Sequence, residues 1–269
     1  MYNSVRTIFL VGSGHCGSTL LDLLLDSHSK VTALGEPQEY DYGKCPPAWG
    51  ACSTCITTPV ELYQSKLSIL FGRSEYFFSK TRKHADIELY QAWNRKFLDC
   101  IYHTSGAEVV VDSSKNVERV RVLTEAKDIC PLVIHLIRDG RGVTWSYLRK
   151  YPHKPFFALT VWFFSNLKIE FMKRRTNSPV LVMRYENLVQ NPERELTRIL
   201  GMVGLTFEND MLNFHTKSHA YHLGGNRMKH AAGGAIRLDE VWRDSMPLGY
   251  KLLFNILFGW LNWYYRVRY

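Results

Sequence analysis

Residues 7–21, Thr7-Ile8-Phe9-Leu10-Val11-Gly12-Ser13-Gly14-His15-Cys16-Gly17-Ser18-Thr19-Leu20-Leu21, decide the fold of this chain of 269 residues. The apolar run that ends at Val11 has the length and β-branched content of a buried strand. The leucines from Leu20 onwards indicate a largely buried helix. Glycines between the two let several backbone N–H groups converge at the positive end of that helix, where anions bind readily. The segment predicts a cradle for a phosphate or sulfate group, with a plain tight turn as the alternative.

The cradle differs from the Walker A loop of nucleoside triphosphatases in one position. A Walker A loop has Lys directly after its last glycine, where the cation reaches the outer phosphates. Here Ser18 follows Gly17, and Thr19 follows Ser18. The loop therefore keeps two hydroxyls for an anion but lacks the cation that phosphoryl transfer enzymes place on the transferred group.

A second anion-binding signal lies in residues 132–147, about 120 residues further on. An apolar strand ends at Arg138, and a helix is expected to start near Gly140, which puts Ser146 on its second turn. Arg138 can make a bidentate, charge-assisted contact with a phosphate that Ser146 also reaches. The alternative is a surface Arg138 paired with Asp139, beside a solvated helical serine.

Together these two segments resemble the sulfotransferase family, whose donor is 3′-phosphoadenosine 5′-phosphosulfate. Further matches lie at residues 111–116, 184–188 and 225–229, so the resemblance runs from residue 8 to about residue 243. It implies an α/β fold with three layers, a central parallel sheet and a P-loop-like first turn, in a single domain over residues 1–269. It also implies a nucleotide-binding transferase that uses this donor as co-substrate and requires no metal.

The resemblance also implies which residues contact the donor. The 5′-phosphosulfate maps to Gly14, His15, Cys16, Gly17, Ser18 and Thr19, and the 3′-phosphate maps to Arg138 and Ser146. Residues 225–229 look like the loop that closes over the nucleotide in bacterial and carbohydrate-type members, which assigns donor contacts to Asn226, Met228 and Lys229. The family usually has Lys or Arg at the position of His15. An imidazole near phosphates is expected to shift towards its charged form, although His15 as an ordinary loop residue stays open.

Candidates for the chemistry follow from the same resemblance. Glu36 occupies the position where tyrosine-protein sulfotransferases, which this loop resembles, carry their base, and a carboxylate near the acceptor hydroxyl can take its proton. Glu39 competes for this role, and a structural cap is the third interpretation. Lys115, just past the strand ending at Asp112, is expected to reach the leaving oxygen or the sulfuryl group, with a surface lysine as the alternative. Glu36, Lys115 and His15 are thus the catalytic candidates.

The rest of the chain shows strands alternating with helices, which predicts a parallel sheet with ligands at the carboxyl ends of its strands. The loops at residues 12–19, 112–116 and 138–146 all fall at such ends. Residues 40–60, rich in Pro and Gly, form the most loop-like segment and are predicted to lie on the substrate side.

Composition restricts the partners. The chain has 34 basic and 25 acidic residues, for a net charge of +9, which attracts polyanions. The basic residues are scattered and no nucleic-acid motif accompanies them, so we expect no nucleic-acid partner. The acceptor is expected to be a hydroxyl of a small molecule, lipid or carbohydrate, and the sequence does not determine the oligomeric state.

The chain shows no signal-peptide pattern and no glycosylation sequon, which favours a cytoplasmic protein with reduced cysteines. Cys45, Cys52 and Cys55 have part of a metal-ligand spacing, but an insert with incidental thiols is the favoured interpretation. Residues 247–269 are rich in aromatics and end in cations. They are predicted to form a helix that packs on the core, with peripheral contact to a membrane surface as the alternative.

Two other classes stay open. A P-loop small-molecule kinase would use Mg-ATP, with Asp112 as a carboxylate that binds the magnesium. This hypothesis does not account for Ser18 or for the pair Arg138 and Ser146. A non-catalytic nucleotide-binding or membrane-scaffold protein would account for His15 in place of Lys or Arg and for the aromatic tail.

Overall fold

The computed structural model describes residues 5–37, 87–222, 225 and 236–269. Five strands lie in these ranges: β1 (Val5–Val11), β2 (Val31–Ala33), β3 (Val109–Asp112), β4 (Ile129–Ile137) and β5 (Val180–Arg184). The α-helices of the same ranges are α1 (Ser18–Asp26), α2 (Ile87–Ser105), α3 (Val117–Thr124), α4 (Gly140–Lys150), α5 (Pro155–Lys173), α6 (Tyr185–Gln190), α7 (Pro192–Met202), α8 (Trp242–Ser245) and α9 (Leu248–Arg268). A 3₁₀ helix covers Asn209–Thr216.

The strands form one parallel sheet in the order β2-β3-β1-β4-β5. β1 lies in the middle, with Thr7 opposite Val110 of β3 on one side and Pro131 of β4 on the other. The predicted central parallel sheet is therefore confirmed, and the five-stranded sheet has helices on both faces.

Two apolar clusters cover the two faces of the sheet. Ile8 and Leu10 of β1 point into the cluster that includes α1, α6 and α7, whereas Phe9 and Val11 point into the cluster that includes α2 and α3. Both faces of each central strand are buried, and this explains why β1, β3 and β4 are continuous apolar runs rather than alternating ones. The result is the three-layer α/β architecture expected from the sequence.

The parallel order brings three loops to one edge of the sheet. β1 pairs with both β3 and β4, so the segments after Val11, Asp112 and Ile137 are neighbours at the carboxyl ends of the strands. The predicted positions of the loops at 12–19, 112–116 and 138–146 are thereby confirmed. The three-residue strand β2 was not predicted, and Glu36 follows this strand rather than the first helix directly. Residues 40–60 lie outside the described residues.

The last helix, α9, packs on the core through one face. Phe254, Phe258, Leu261 and Tyr265 are buried against Trp162 and its neighbours on α5. The face opposite these residues is exposed. No helix in the described part of the chain has the length and apolar character needed to cross a membrane.

Candidate functional site

The loop between β1 and α1 is closed tightly by its surroundings. Gly17 caps α1 with φ of 100°, a left-handed conformation that strains other residues, and a Cβ there would collide with the ring of Tyr185. A Cβ on Gly14 would collide with the hydroxyl of Tyr147. Residue 17 therefore has to be glycine, and a side chain at residue 14 would force the Tyr147 ring to move. The first turn of α1, starting at Ser18, opens directly onto this loop.

A cation reaches the loop from the adjacent strand. Lys115, three residues past the end of β3, places its Nζ 3.1 Å from Ser18 Oγ and donates to it. Ser18 is the residue that stands where a Walker A loop has its lysine. The structure therefore supplies from β3 a positive charge that the loop sequence lacks, at the end of α1 where an anion is favoured.

Glu36 contacts the same lysine. Its Oε1 lies 2.6 Å from Lys115 Nζ, and the side chains of both residues are mostly buried. Burial acts to lower the pKa of Lys115, but Glu36, together with Cys16 and Asp22, outweighs burial, so that pKa is raised above the usual value. The predicted base and the predicted catalytic cation thus form one ion pair at the start of α1. Glu39, the competing candidate, lies outside the described residues.

Backbone strain concentrates in this region. Among described residues other than glycine, His15 with φ of 61° and Lys115 with φ of 55° have positive φ. Such conformations persist only where the surroundings enforce them, and they cluster at functional sites. Here they aim the side chain of Lys115 at the loop and turn the carbonyl of His15 towards Arg138.

Arg138 lies against the loop from the side of β4. Its Nη1 donates to the carbonyl oxygen of His15 at 3.1 Å, and its guanidinium lies 4.8 Å from the centre of the Tyr185 ring. Its Nη2 donates to the carboxylate of Asp239 at 2.9 Å and to the carbonyl of that residue at 2.8 Å. The surface pairing with Asp139 does not occur, because Asp139 instead pairs with Arg141.

Ser146 lies on α4 as predicted, and it shares a neighbour with Arg138. Its hydroxyl donates to the carbonyl of Gly142 at 3.0 Å. A Cβ placed on Gly142 would be 3.3 Å from Arg138 Nε. Both side chains of the predicted 3′-phosphate pair therefore border the first turn of α4, although each one is hydrogen-bonded within the protein.

His15 packs edge-on against Tyr147, with 4.8 Å between ring centres. Burial, together with the charges of Lys150, Arg138 and Lys115, lowers the pKa of His15 to about 4. Without an anion present, the imidazole is therefore neutral at pH 7, the opposite of the shift expected beside phosphates. The same cluster of cations that disfavours a charged imidazole is an attractive surface for a polyanion.

The start of the predicted closing loop lies beside the cradle. Gly225 has φ of 87°, and a Cβ there would be 3.0 Å from Thr19 Cγ2. Asn226, Met228 and Lys229 lie outside the described residues. The chain is described again from residue 236, and Asp239 then contacts Arg138. The two described ends of this segment therefore meet residues of the predicted site, Thr19 and Arg138.

Asp112 does not resemble a magnesium ligand. Its Oδ2 accepts from Arg119 Nε at 2.9 Å, its Oδ1 accepts from the backbone of Ser114 at 2.9 Å, and both charged side chains are fully buried. This ion pair joins β3 to α3 in the core. Among the described residues no cluster of His, Cys, Asp or Glu is arranged to hold a metal ion. Cys45, Cys52 and Cys55 lie outside the described residues.

Sequence reasoning missed three residues that shape the site: Tyr147, Tyr185 and Asp239. Tyr185 follows the Arg that ends β5, within the segment 184–188 already noted as a family match, and this position was the available signal. Tyr147 directly follows Ser146 on α4. No local pattern marks Asp239, whose partner Arg138 is 101 residues away.

The profile of the Sulfotransferase family matches residues 7–209 of this chain. The chain therefore belongs to the sulfotransferase family. The sulfotransferase domain of the olefin synthase from Synechococcus PCC 7002 has a similar structure, with a TM-score of 0.58 and 19% identity over 95% of each chain. The sulfotransferase domain from the curacin biosynthetic pathway has a TM-score of 0.54 and 18% identity, covering 95% of this chain and 97% of that one. These TM-scores show that the chain shares their fold. No curated protein sequence matches the chain.

Proposed function

We propose that this protein transfers a sulfuryl group from 3′-phosphoadenosine 5′-phosphosulfate to a hydroxyl of a small-molecule, lipid or carbohydrate acceptor. Residues 1–269 act as one domain in this proposal. Gly14 to Thr19 hold the 5′-phosphosulfate, and Arg138 and Ser146 hold the 3′-phosphate. Asn226, Met228 and Lys229 close over the nucleotide.

One observation carries the proposal: Lys115, Ser18 and Glu36 meet at the start of α1, with distances of 3.1 and 2.6 Å from the lysine Nζ. A sulfuryl group in the cradle would lie close to both a cation and a carboxylate. Transfer from such a group requires both a charge on the departing side and a proton acceptor on the attacking side. The arrangement places these two groups side by side.

The roles of the residues follow the movement of electrons. The acceptor oxygen forms a bond to sulfur, while the bond between sulfur and the bridging oxygen of the donor breaks and its electron pair stays on the departing 5′-phosphate. Glu36 takes the proton of the acceptor hydroxyl. Lys115 neutralises the charge that grows on the leaving oxygen, and its three N–H groups allow it to keep its contact with Ser18. His15 donates a further hydrogen bond from the opposite side of the loop.

The 3′-phosphate site requires an exchange of partners at Arg138. In the protein alone the guanidinium is paired with Asp239 and with the carbonyl of His15. Burial opposes ionisation of Asp239, but the hydrogen bond and the charge of Arg138, with the backbone N–H of Val241, together outweigh burial and lower the pKa of that carboxyl. An incoming phosphate would take the place of a carboxylate, and a guanidinium suits either group because it presents a planar fork of donors.

A thermal-shift experiment tests the donor assignment. The desulfated product 3′-phosphoadenosine 5′-phosphate, added at about 100 times its Kd without metal, is expected to stabilise the protein by about 2.7 kcal/mol. For a chain of this size that corresponds to a rise in melting temperature of roughly 5–10 °C. ATP with magnesium is expected to have a much smaller effect. A larger shift with Mg-ATP would refute the sulfotransferase proposal in favour of a kinase.

A further inference from the structure

The exposed apolar side chains of this protein are concentrated on two neighbouring helices. Twelve of the fifteen large apolar side chains exposed in the described ranges belong to α5 and α9. On α9 they recur along the face opposite its buried residues: Leu248, Leu252, Leu253, Ile256, Leu257, Trp260, Trp263 and Val267. On α5 they are Phe156, Phe157, Phe164 and Phe171. We refer to these twelve residues as the α5/α9 face.

The face is continuous from one helix to the other. The ring of Trp260 on α9 lies 6.2 Å from that of Phe163 on α5, and Phe163 lies 5.4 Å from Phe164. Phe164 and Phe171 then line a groove between α5 and α3, which also includes Leu167 and Met172. A patch that joins several turns of two helices is larger than the scattered apolar residues of ordinary surfaces.

Positive charge surrounds this face. Helix α9 contains Lys251, Arg266 and Arg268 and no acidic residue. Helix α5 contains Lys168, Lys173 and one acid, Glu170. Glu170 pairs with the mostly buried Lys173 at 2.9 Å and accepts from Tyr265 at 3.0 Å, so Lys168 is the cation of α5 that adds to those of α9.

Cations also border the groove at its edge. Lys168 and Arg175 line the groove together with Arg121, whose partner Glu118 is the acid in that lining. The guanidinium of Arg174 lies 6.0 Å from the ring of Phe171. An exposed apolar surface rimmed by lysine and arginine complements a partner that has an apolar interior and negatively charged groups at its surface.

We propose that the α5/α9 face docks this protein on a lipid bilayer surface with anionic headgroups. Helix α9, at 1.5 Å per residue, would lie along the interface for about 30 Å. Trp260 and Trp263 would sit at headgroup depth, as tryptophan does at membrane interfaces, and Arg266 and Arg268 would pair with the headgroups. A second copy of the chain fits less well, because a two-fold contact through this face would bring the same cations together.

Vesicle binding by the full chain tests the proposal. Phosphatidylcholine vesicles and vesicles with about 30% phosphatidylglycerol are compared by co-sedimentation and by tryptophan emission. We expect binding to the anionic vesicles, weakened by salt because the cations are screened, and little binding to phosphatidylcholine alone. Equal binding to both kinds of vesicle, or binding to neither, would overturn the proposal of an anionic surface.

Substitutions locate the contact. Ile256→Asp and Trp260→Asp each remove an apolar side chain whose burial is worth 10- to 150-fold in affinity on the order-of-magnitude scale for such groups. Arg266→Gln and Arg268→Gln are each expected to weaken binding by about fivefold. Met202→Asp on α7 is the matched control, since Met202 is also exposed but lies outside the face, and it is expected to bind vesicles like the wild type.

Two control measurements separate docking on lipid from loss of the fold and from self-association. Binding of 3′-phosphoadenosine 5′-phosphate by each variant should equal that of the wild type, which shows that the fold is intact and separates this proposal from the donor assignment. Light scattering after gel filtration gives the oligomeric state. A dimer that Ile256→Asp dissociates, or vesicle binding that resists both aspartate substitutions, would refute docking on lipid through this face.

Discussion

Replacing Glu36 by Gln separates an enzyme from a nucleotide-binding protein, because glutamine keeps the size and hydrogen-bonding shape of the side chain but takes no proton. If Glu36 is the base, turnover should fall by roughly 10²–10⁴-fold, the usual contribution of a positioned general base. That loss corresponds to about 3–5 kcal/mol in the activation free energy.

The contact with Lys115 adds a second effect. Two unit charges 4 Å apart attract by about 4 kcal/mol at an effective dielectric of 20, before the cost of removing them from water. The carboxylate of Glu36 lies 2.6 Å from the ammonium of Lys115. In a double-mutant cycle with Lys115→Met, we therefore expect the two residues to be coupled by about 1–3 kcal/mol in the free energy of unfolding. In Glu36→Gln the ammonium is no longer neutralised, and donor affinity should equal or modestly exceed that of the wild type.

Single-turnover sulfuryl transfer measures the loss of turnover, and calorimetry with 3′-phosphoadenosine 5′-phosphate measures the donor affinity. Glu39→Gln, three residues along the same segment, is the matched variant. Full activity in Glu36→Gln would refute the assignment; if Glu39→Gln then loses activity, Glu39 is the base. If neither substitution matters, the base lies elsewhere, and His15 is the next residue to replace.

Three further predictions concern donor binding and the core. Arg138→Ala should weaken binding of 3′-phosphoadenosine 5′-phosphate by about 2–5 kcal/mol in calorimetry while leaving the fold intact; unchanged affinity would remove Arg138 from the site. The pKa of His15 is about 4 in the free protein and should rise beside phosphates, so the affinity gained by protonation is present below the bound-state pKa and lost above it. Donor affinity should therefore increase more steeply in the wild type than in His15→Gln as the pH is lowered from 7.5 to 5.5, and parallel profiles would contradict this. Arg119→Met leaves the buried Asp112 carboxylate unpaired and should lower the free energy of unfolding by about 3–5 kcal/mol in urea, whereas a loss below about 1 kcal/mol would show that the pair is not a stabilising contact.

Local sequence predicted the parts of the molecule that depend on neighbouring residues. The strand before Gly12, the helix after Gly17 and the helix start at Gly140 all follow from apolar runs and turn residues that lie next to one another. The parallel sheet followed from their alternation, and the meeting of three loops followed from the sheet. The segment Val31–Ala33 was missed because three residues are too few to show a pattern.

The contacts within the site depend on distances along the chain that local patterns do not encode. Lys115 and Glu36 are 79 residues apart, and Arg138 and the carbonyl of His15 are 123 residues apart. Their pairing follows from the order of strands in the sheet, which a single sequence does not specify. The neutral state of His15 is a further example, because it depends on burial and on cations contributed by α4, Arg138 and Lys115.

The C-terminal helix, α9, contacts the segment that holds Arg138 in the candidate site. Asn262, a residue that interrupts the apolar tail, accepts the backbone N–H of Gly140 at 2.8 Å. Trp162, which packs on α9, donates to the carbonyl of Arg138 at 3.0 Å. Gly140 itself has no space for a side chain, because Phe254 and Trp162 fill it. Helix α9 thus supports the backbone at Arg138 and Gly140, and through it the position of the Arg138 guanidinium. If Arg138 binds the 3′-phosphate as proposed, changes at Asn262 are expected to alter nucleotide affinity without touching the nucleotide, and removal of α9 is expected to weaken donor binding.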